Sequence, residues 1–422
     1  MTTDITADHA RSLDMADPLR QYRDRIFNGD PSMVYMDGNS LGRLPIKSIE
    51  NAENIVKEQW GNALIRSWGD QWFDAPIRIG DKIAKLIGAS DGEVAVSDST
   101  TVNLYKLAMS AIWLNASRKK IITDDLNFPS DLYMLQGCNY FLGNSRQLIV
   151  AHAKDGMKIT TQQMIDLIDE DTALVTLSHV VFKSGYMYDV KAITEHAHKK
   201  GALVLWDLSH AVGAVKVALN EWNVDFAVGC TYKYLNGGPG SPAFLYVRKD
   251  LQEKALSPIW GWFGDTAPFS FDLKYRPAAN IRRFLTGTPP VLSMQTMETG
   301  VDLMLEVGMD RLREKSEQLS TYMIALFDKR LAPLGFALGS PRETTSRGSH
   351  ISFKHPEGYR INRSLIEDMN VIPDFREPDN IRLGLTPLYT SYLDVWECVD
   401  RIVRVVSGKH YEKFPVDRLT VT

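Results

Sequence analysis

The sequence predicts an α/β protein: a large domain on a mostly parallel seven-stranded sheet, then a smaller α+β domain at the carboxyl end. Three observations predict it. Seven short apolar runs, at residues 94–97, 120–124, 147–152, 173–179, 202–207, 226–231 and 243–247, have continuous rather than alternating cores. Continuous cores mark strands covered on both faces. Helical periodicity fills the gaps at 102–115, 161–168 and 190–200, and strand–helix alternation builds parallel sheets. Beyond Pro289-Pro290 the pattern changes to long helices and then a mixed tail.

In chain order, residues 1–60 read as an amino-terminal arm and helices, 61–290 as the large domain, and 291–422 as a linking helix with the small domain. The first 20 or so residues are polar and suit a loosely held arm or first helix. The run at 243–247 follows its neighbour through Gly237-Gly238-Pro239-Gly240. No crossover helix fits in that link, so this strand is expected to be antiparallel. Helices are expected at 291–307 and 311–331. A strand at 351–354, a helix at 362–369, a strand at 380–385 and an amphipathic helix at 393–406 complete the tail.

Composition narrows the class. The chain has 422 residues, 44% hydrophobic and 24% charged, enough for a large core. Its net charge of −4, without a basic block, argues against a nucleic-acid partner. No apolar run approaches the roughly 20 residues of a membrane span, and the first residues lack a basic-then-apolar signal. The three cysteines, Cys138, Cys230 and Cys398, are widely spaced and odd in number. They read as reduced thiols of a cytoplasmic protein. His196 and His198 are two apart on a helix, hence on different faces, so no metal site is expected there.

The chemistry centres on Lys233. It follows an apolar run, lies between Tyr232 and Tyr234, and precedes a glycine-rich turn. Burial pushes a lysine toward the neutral amine, and a neutral amine on a rigid element suits a Schiff base with an aldehyde cofactor. The run at 202–207 ends in Asp207. Pyridoxal 5′-phosphate needs both groups: an amine for its aldehyde and a carboxylate for its ring nitrogen. Alone, Asp207 would serve as a helix cap.

Other candidates surround this pair. Ser97-Asp98-Ser99-Thr100-Thr101 leaves a strand and enters a helix, so Thr100 and Thr101 suit a phosphate cradle. The same residues would serve as ordinary caps. In Asn127-Phe128-Pro129-Ser130-Asp131, Phe128 is placed to stack on a flat ring and Asp131 to bind a ring substituent. A proline turn with a cap explains the segment equally. His210 follows Asp207 closely enough to cover a cofactor or to sit satisfied in the core. Arg382 lies inside an apolar run and wants an anion, either a substrate carboxylate or an internal partner. The glycine-rich turn is not a dinucleotide fingerprint, because it leads into a strand.

At these residues the chain resembles the kynureninases, pyridoxal-phosphate enzymes of fold type I. The resemblance rests on Thr231-Tyr232-Lys233-Tyr234-Leu235-Asn236-Gly237-Gly238-Pro239-Gly240, Met36-Asp37-Gly38-Asn39-Ser40-Leu41-Gly42, Trp206-Asp207-Leu208-Ser209-His210-Ala211, Gly261-Trp262-Phe263-Gly264 and Gly287-Thr288-Pro289-Pro290, among other segments from about Leu19 onward. It implies that Lys233 carries the cofactor and that Asp207 pairs with its ring nitrogen. It implies that Thr100, Thr101, Tyr232 and Trp262 hold the phosphate, with Thr288 arriving from the partner subunit of a homodimer. Phe128 would stack on the ring. Ser130, Asp131, Ser178 and His210 would contact the cofactor or its surround. Arg382 would hold the substrate carboxylate, with Ser40 and Trp68 lining the pocket.

The implied reaction is hydrolysis of L-kynurenine to anthranilate and L-alanine, in tryptophan catabolism or pyridine nucleotide synthesis. Lys233 would be the base and Tyr232 a proton relay. Family members that prefer 3-hydroxykynurenine carry histidine at the position of Trp68 and asparagine at that of Thr288. This chain has neither, so unmodified kynurenine is the expected substrate and the hydroxylated one a slower one. Two rivals use the same scaffold: a cysteine desulfurase or aminotransferase, and a non-catalytic cofactor-binding protein.

Overall fold

The computed structural model describes residues 5–417 of the chain. The outermost parts of the expected first and last units, 1–4 and 418–422, lie outside the described residues.

The amino-terminal segment is docked rather than loose. Helix Ala7–Ala16 is capped by Thr6. The Asp14 carboxylate accepts from the backbone of Tyr392 at 2.8 Å and Leu393 at 3.0 Å, at the start of helix Tyr392–Ser407. Asp17 and Lys315, both almost fully buried, pair at 2.5 Å. The short strand β1 (Val34–Tyr35) then pairs with residues 371–372 far along the chain.

The large sheet holds β2 (Val94–Val96), β3 (Lys120–Asp124), β4 (Gln147–Ala151), β5 (Thr172–Ser178), β6 (Leu203–Asp207), β7 (Phe226–Gly229) and β8 (Phe244–Val247). Their order is β2-β8-β7-β6-β5-β3-β4. All pairings among β3 to β7 are parallel, and β8 is antiparallel to both neighbours, as its short link requires. Successive side chains feed opposite faces. On β6, Val204 and Trp206 join one apolar layer, and Leu205 joins the other. Ile79 and Ile83 of helix Ala75–Leu86 and Met297 and Met304 of helix Val291–Val307 cover the first face. Leu104 and Leu107 of helix Thr100–Leu114 and Leu135 of helix Pro129–Phe141 cover the second. Burial on both faces is why the runs read as continuous.

The run expected to reach residue 231 leaves the sheet after Gly229. Beyond it the Cys230 N–H donates to the Ser209 hydroxyl at 3.1 Å, and the Thr231 hydroxyl bonds Ser241 and the Pro242 carbonyl. Backbone and side-chain partners in the loops replace the ladder. Lys233 therefore sits four residues past the strand, half-buried rather than enclosed.

The small domain carries a four-stranded antiparallel sheet of β9 (Ala337–Leu338), β10 (His350–Lys354), β12 (Asp374–Arg376) and β13 (Asn380–Gly384), ordered β12-β13-β10-β9. The strand β11 (Val371–Ile372) between them pairs with β1. Helices Met309–Leu326, Gly358–Met369 and Tyr392–Ser407 pack Leu319, Leu365 and Val399 onto Ile351 and Leu383. Ala10, Val34 and Met36 complete that core. No helix among the described residues is long and apolar enough to cross a membrane.

Candidate active site

The carboxyl ends of the parallel strands open into a cavity of about 630 Å³. Here β4 lies on one side of β3 and β5 on the other. Consecutive crossovers therefore leave in opposite directions, and open α/β sheets bind ligands in such crevices. Asn127 spans the gap. Its amide donates to Thr123 Oγ1 at 2.7 Å and to the Thr176 carbonyl at 3.3 Å, and its oxygen accepts from the Ser178 N–H at 2.6 Å.

Twelve of the residues expected from sequence line this one cavity: Ser40, Thr100, Thr101, Phe128, Ser130, Asp131, Ser178, Asp207, His210, Tyr232, Lys233 and Arg382. They come from segments up to 342 residues apart. Asp207 ends β6 and Ser178 ends β5. One oxygen of Asp207 accepts from the Ser209 N–H at 2.8 Å and the Ser209 hydroxyl at 2.6 Å. Among the described residues nothing donates to the other. Burial pushes this carboxyl up, while Ser209 and then Lys233 pull against the rise. Asp131 is pushed well above the usual carboxylate range by burial and then by the charge of Asp207.

Lys233 Nζ lies 3.0 Å from His210 Nε2 and 5.8 Å from the centre of the Tyr232 ring. Burial, then the Lys233 and His350 charges, holds His210 well below the ordinary imidazole range. Its ring stands 5.3 Å from that of His350. The Tyr232 carbonyl accepts from the Gly42 N–H at 2.8 Å. A Cβ on Gly42 would come within 2.2 Å of the Lys233 carbonyl, so glycine there lets the loop carrying Ser40 close over the lysine segment.

The start of helix Thr100–Leu114 faces the same space. Ser99 caps it by accepting from the Val102 N–H. The N–H groups of Thr100 and Thr101 donate to nothing among the described residues, which is the arrangement that binds anions. Asp98, beside them at a left-handed φ of +47°, is paired with the fully buried Lys106 at 2.6 Å. Burial raises Asp98, but Lys106 overcomes it and holds the carboxyl below its ordinary value. Phe128 is 44% exposed, its ring 5.3 Å from Phe182 and edge-on to it.

The opposite wall comes from the small domain. The buried Arg382 donates to the Phe182 carbonyl at 2.7 Å, to Ser40 Oγ at 2.8 Å and to Asp374. Sequence reasoning missed Asp374, Arg376 and Phe182. The alternation Asp374-Phe375-Arg376 places both charges on one face of a strand. That signal was present but short.

Three expected residues do not line the cavity of this single chain. Trp68 and Trp262 pack edge to face at 6.3 Å in an aromatic cluster with Phe263. Thr288 is exposed on the loop before Pro290, which does reach the cavity. Among the described residues no cluster of ligating side chains could hold a metal ion.

A family model described as the kynureninase C-terminal domain matches residues 312–402. A kynureninase of Pseudomonas fluorescens is 41% identical over 409 residues, covering 96% of each chain. One of Burkholderia pseudomallei is 41% identical over 403 residues, covering 94% of each. Among solved structures, a cysteine desulfurase of Thermococcus onnurineus superposes with a TM-score of 0.78 at 18% identity, over 92% of this chain and 98% of that one. A C-DES mutant with glycine covalently linked to its pyridoxal phosphate does so with a TM-score of 0.77 at 16% identity, over 90% and 98%. These structures bear out the fold expected from sequence, fold type I of the pyridoxal-phosphate enzymes. With twelve of the expected positions around one cavity and relatives 41% identical along nearly the whole length, the chain belongs to the kynureninase family.

Proposed function

We propose that this chain hydrolyses L-kynurenine to anthranilate and L-alanine with pyridoxal 5′-phosphate as its cofactor. One observation carries the reading: a lysine amine, an unpartnered carboxylate oxygen and a free helix N-terminus face one cavity. That donor set fits the cofactor at its aldehyde, its ring nitrogen and its phosphate. When bound, pyridoxal phosphate supplies a carbonyl for amine condensation and a cationic ring that withdraws electrons from the substrate.

The residues divide the remaining work. The N–H groups and hydroxyls of Thr100 and Thr101 bind the phosphate, and Phe128 covers the ring face. Asp207 keeps the ring nitrogen protonated, and Ser209 fixes the carboxylate that does so. Ser130, Asp131, Ser178 and His210 bound the ring edge. Lys233 Nζ holds the cofactor, then removes the proton at the substrate α-carbon. The Cys230 thiol beside it, and burial, push the Tyr232 phenol up, so it stays protonated at neutral pH. Tyr232 is therefore the proton donor to the β-carbon, and its oxygen orients water at the carbonyl. Arg382 and Ser40 hold the α-carboxylate.

The same scaffold hosts desulfurases, which attack through a thiolate. All three thiols here are buried, and burial pushes Cys138 and Cys398 up to about 12 and Cys230 up as well. None is a ready nucleophile.

The unit acts as a homodimer in the cytoplasm. Ile46, Ile49, Val56 and Trp60 form an exposed apolar stripe along helix Ile46–Asn54 and its continuation, a face that a second copy would cover. Thr288, exposed in one chain, reaches the partner's phosphate site in this reading, and Trp68 and Trp262 join the pocket there. The large domain spans 61–290 and the small one 291–422; of the first 60 residues, helix Ala7–Ala16 packs on the small domain, while Leu19, Tyr22 and Ile26 pack into the core of the large one.

The test is direct. Protein loaded with pyridoxal phosphate should convert L-kynurenine to fluorescent anthranilate, and Lys233→Ala should abolish it. Kynurenine should be the better substrate and 3-hydroxykynurenine the slower. Sulfide release from cysteine without anthranilate production would overturn the reading.

A further inference from the structure

Arg382 has little capacity left for a ligand. A guanidinium offers five N–H donors. Arg382 Nη2 spends both of its own on Ser40 Oγ and Asp374. Nη1 spends one on the Phe182 carbonyl. Nε is buried with no partner, so it does not face the cavity. One N–H remains, on Nη1, and one N–H does not make the two-pronged fork that recognises a carboxylate.

The missing prongs stand beside it. Arg376 lines the same cavity with its side chain 33% exposed. Its Nη1 donates to the Phe375 carbonyl at 3.2 Å, and its Nη2 lies 3.0 Å from Asp374 Oδ2. Each of these nitrogens keeps one N–H free. The strand register explains the placement. Asp374 and Arg376 are two apart on β12, hence on one face, and Asp374 stands directly opposite Arg382 on β13. One carboxylate thus touches both guanidinium groups and offsets their mutual repulsion.

We infer that Arg376 is a second cation of the substrate-carboxylate site, so that the carboxylate is held by two arginines braced by Asp374. The inference rests on the kynurenine reading above. Three free N–H groups, one from Arg382 and two from Arg376, then meet the two carboxylate oxygens without breaking the contacts to Ser40 and Phe182. Asp374 is a positioning residue: it holds the pair and does not touch the substrate.

Steady-state kinetics on the loaded enzyme tests this with Arg376→Gln and Arg376→Lys. A charge-assisted hydrogen bond lost from a ligand lowers affinity about 10- to 100-fold. Arg376→Gln should raise KM for L-kynurenine by that factor, with most of the loss in KM rather than kcat. Arg376→Lys, which keeps the charge but not the fork, should fall between. The decarboxylated analogue kynuramine should inhibit wild type and Arg376→Gln equally, because it has no carboxylate to lose. A KM within about twofold of wild type, or an equal loss of kynuramine affinity, overturns the inference. Wild-type protein that binds the cofactor but makes no anthranilate would instead overturn the kynurenine reading itself.

Discussion

The ε-nitrogen of Lys233 lies 3.0 Å from Nε2 of His210, a ring whose Nδ1 is buried without a partner. For the amine to donate, Nε2 must be bare, so the ring proton belongs on Nδ1. Burial keeps that ring neutral. His210 is thus the acceptor that aims the amine. Replacing it with Phe removes the acceptor and keeps the bulk. A hydrogen bond to a charged group contributes about 1.5–3 kcal/mol. His210→Phe should therefore lose about 10- to 100-fold in kcat/KM, with cofactor content checked by absorbance.

Asp207 gives a sharper effect. Its unpartnered oxygen is the only group assigned to keeping the cofactor ring cationic. Asp207→Asn preserves the shape and the Ser209 contact but not the charge. Removing such electrostatic support typically costs about 10²–10³-fold in kcat. Rapid-mixing kinetics should place that loss at proton removal, with the folded state intact by circular dichroism.

Part of the fold was legible because its signal is local. The strands of the large sheet sit close to their apolar runs, since burial leaves no charged residue between their ends. Asp207 and Lys233 stood out because polar groups closing such runs break the pattern. The docking of Val34 and Tyr35 onto Val371 and Ile372 was not legible. Two residues carry no periodicity, and their partners lie more than 300 positions away. Arg376 was missed because β12 is only three residues long. Trp68, Trp262 and Thr288 came from the resemblance alone, and in this chain they stand outside the cavity.

The pairing of Asp37 with Asp374 carries a pH signature. Burial first, then the Asp374 charge, raises Asp37 to about 6, against the pull of Arg382. The unfolded carboxyl titrates near 3.8. Between these values the folded state holds more protons, so stability from this group is full below about pH 4 and is lost as pH rises through 6. The shift corresponds to about 3 kcal/mol. Asp37→Asn lacks this penalty. Relative to wild type, it should gain up to about 3 kcal/mol on going from pH 4 to pH 7 in urea unfolding at fixed cofactor concentration.

Gly42→Ala tests the loop closure. The new methyl would meet the Lys233 carbonyl at 2.2 Å and Asn236 Oδ1 at 2.5 Å. Backbone must shift, at a cost of about 1–3 kcal/mol. Because Ser40 rides on that loop and Arg382 bonds it, KM should rise together with the drop in melting temperature. A stable variant with wild-type KM would show that the loop does not shape the pocket.

The Lys233 amine is the point on which the chemistry turns. Borohydride reduction of the cofactor-saturated protein, followed by peptide mass mapping, examines it most directly. The account predicts one modified peptide, carrying the reduced cofactor on Lys233, and no modification in Lys233→Ala. A label on a different lysine, or an unmodified digest, would contradict it.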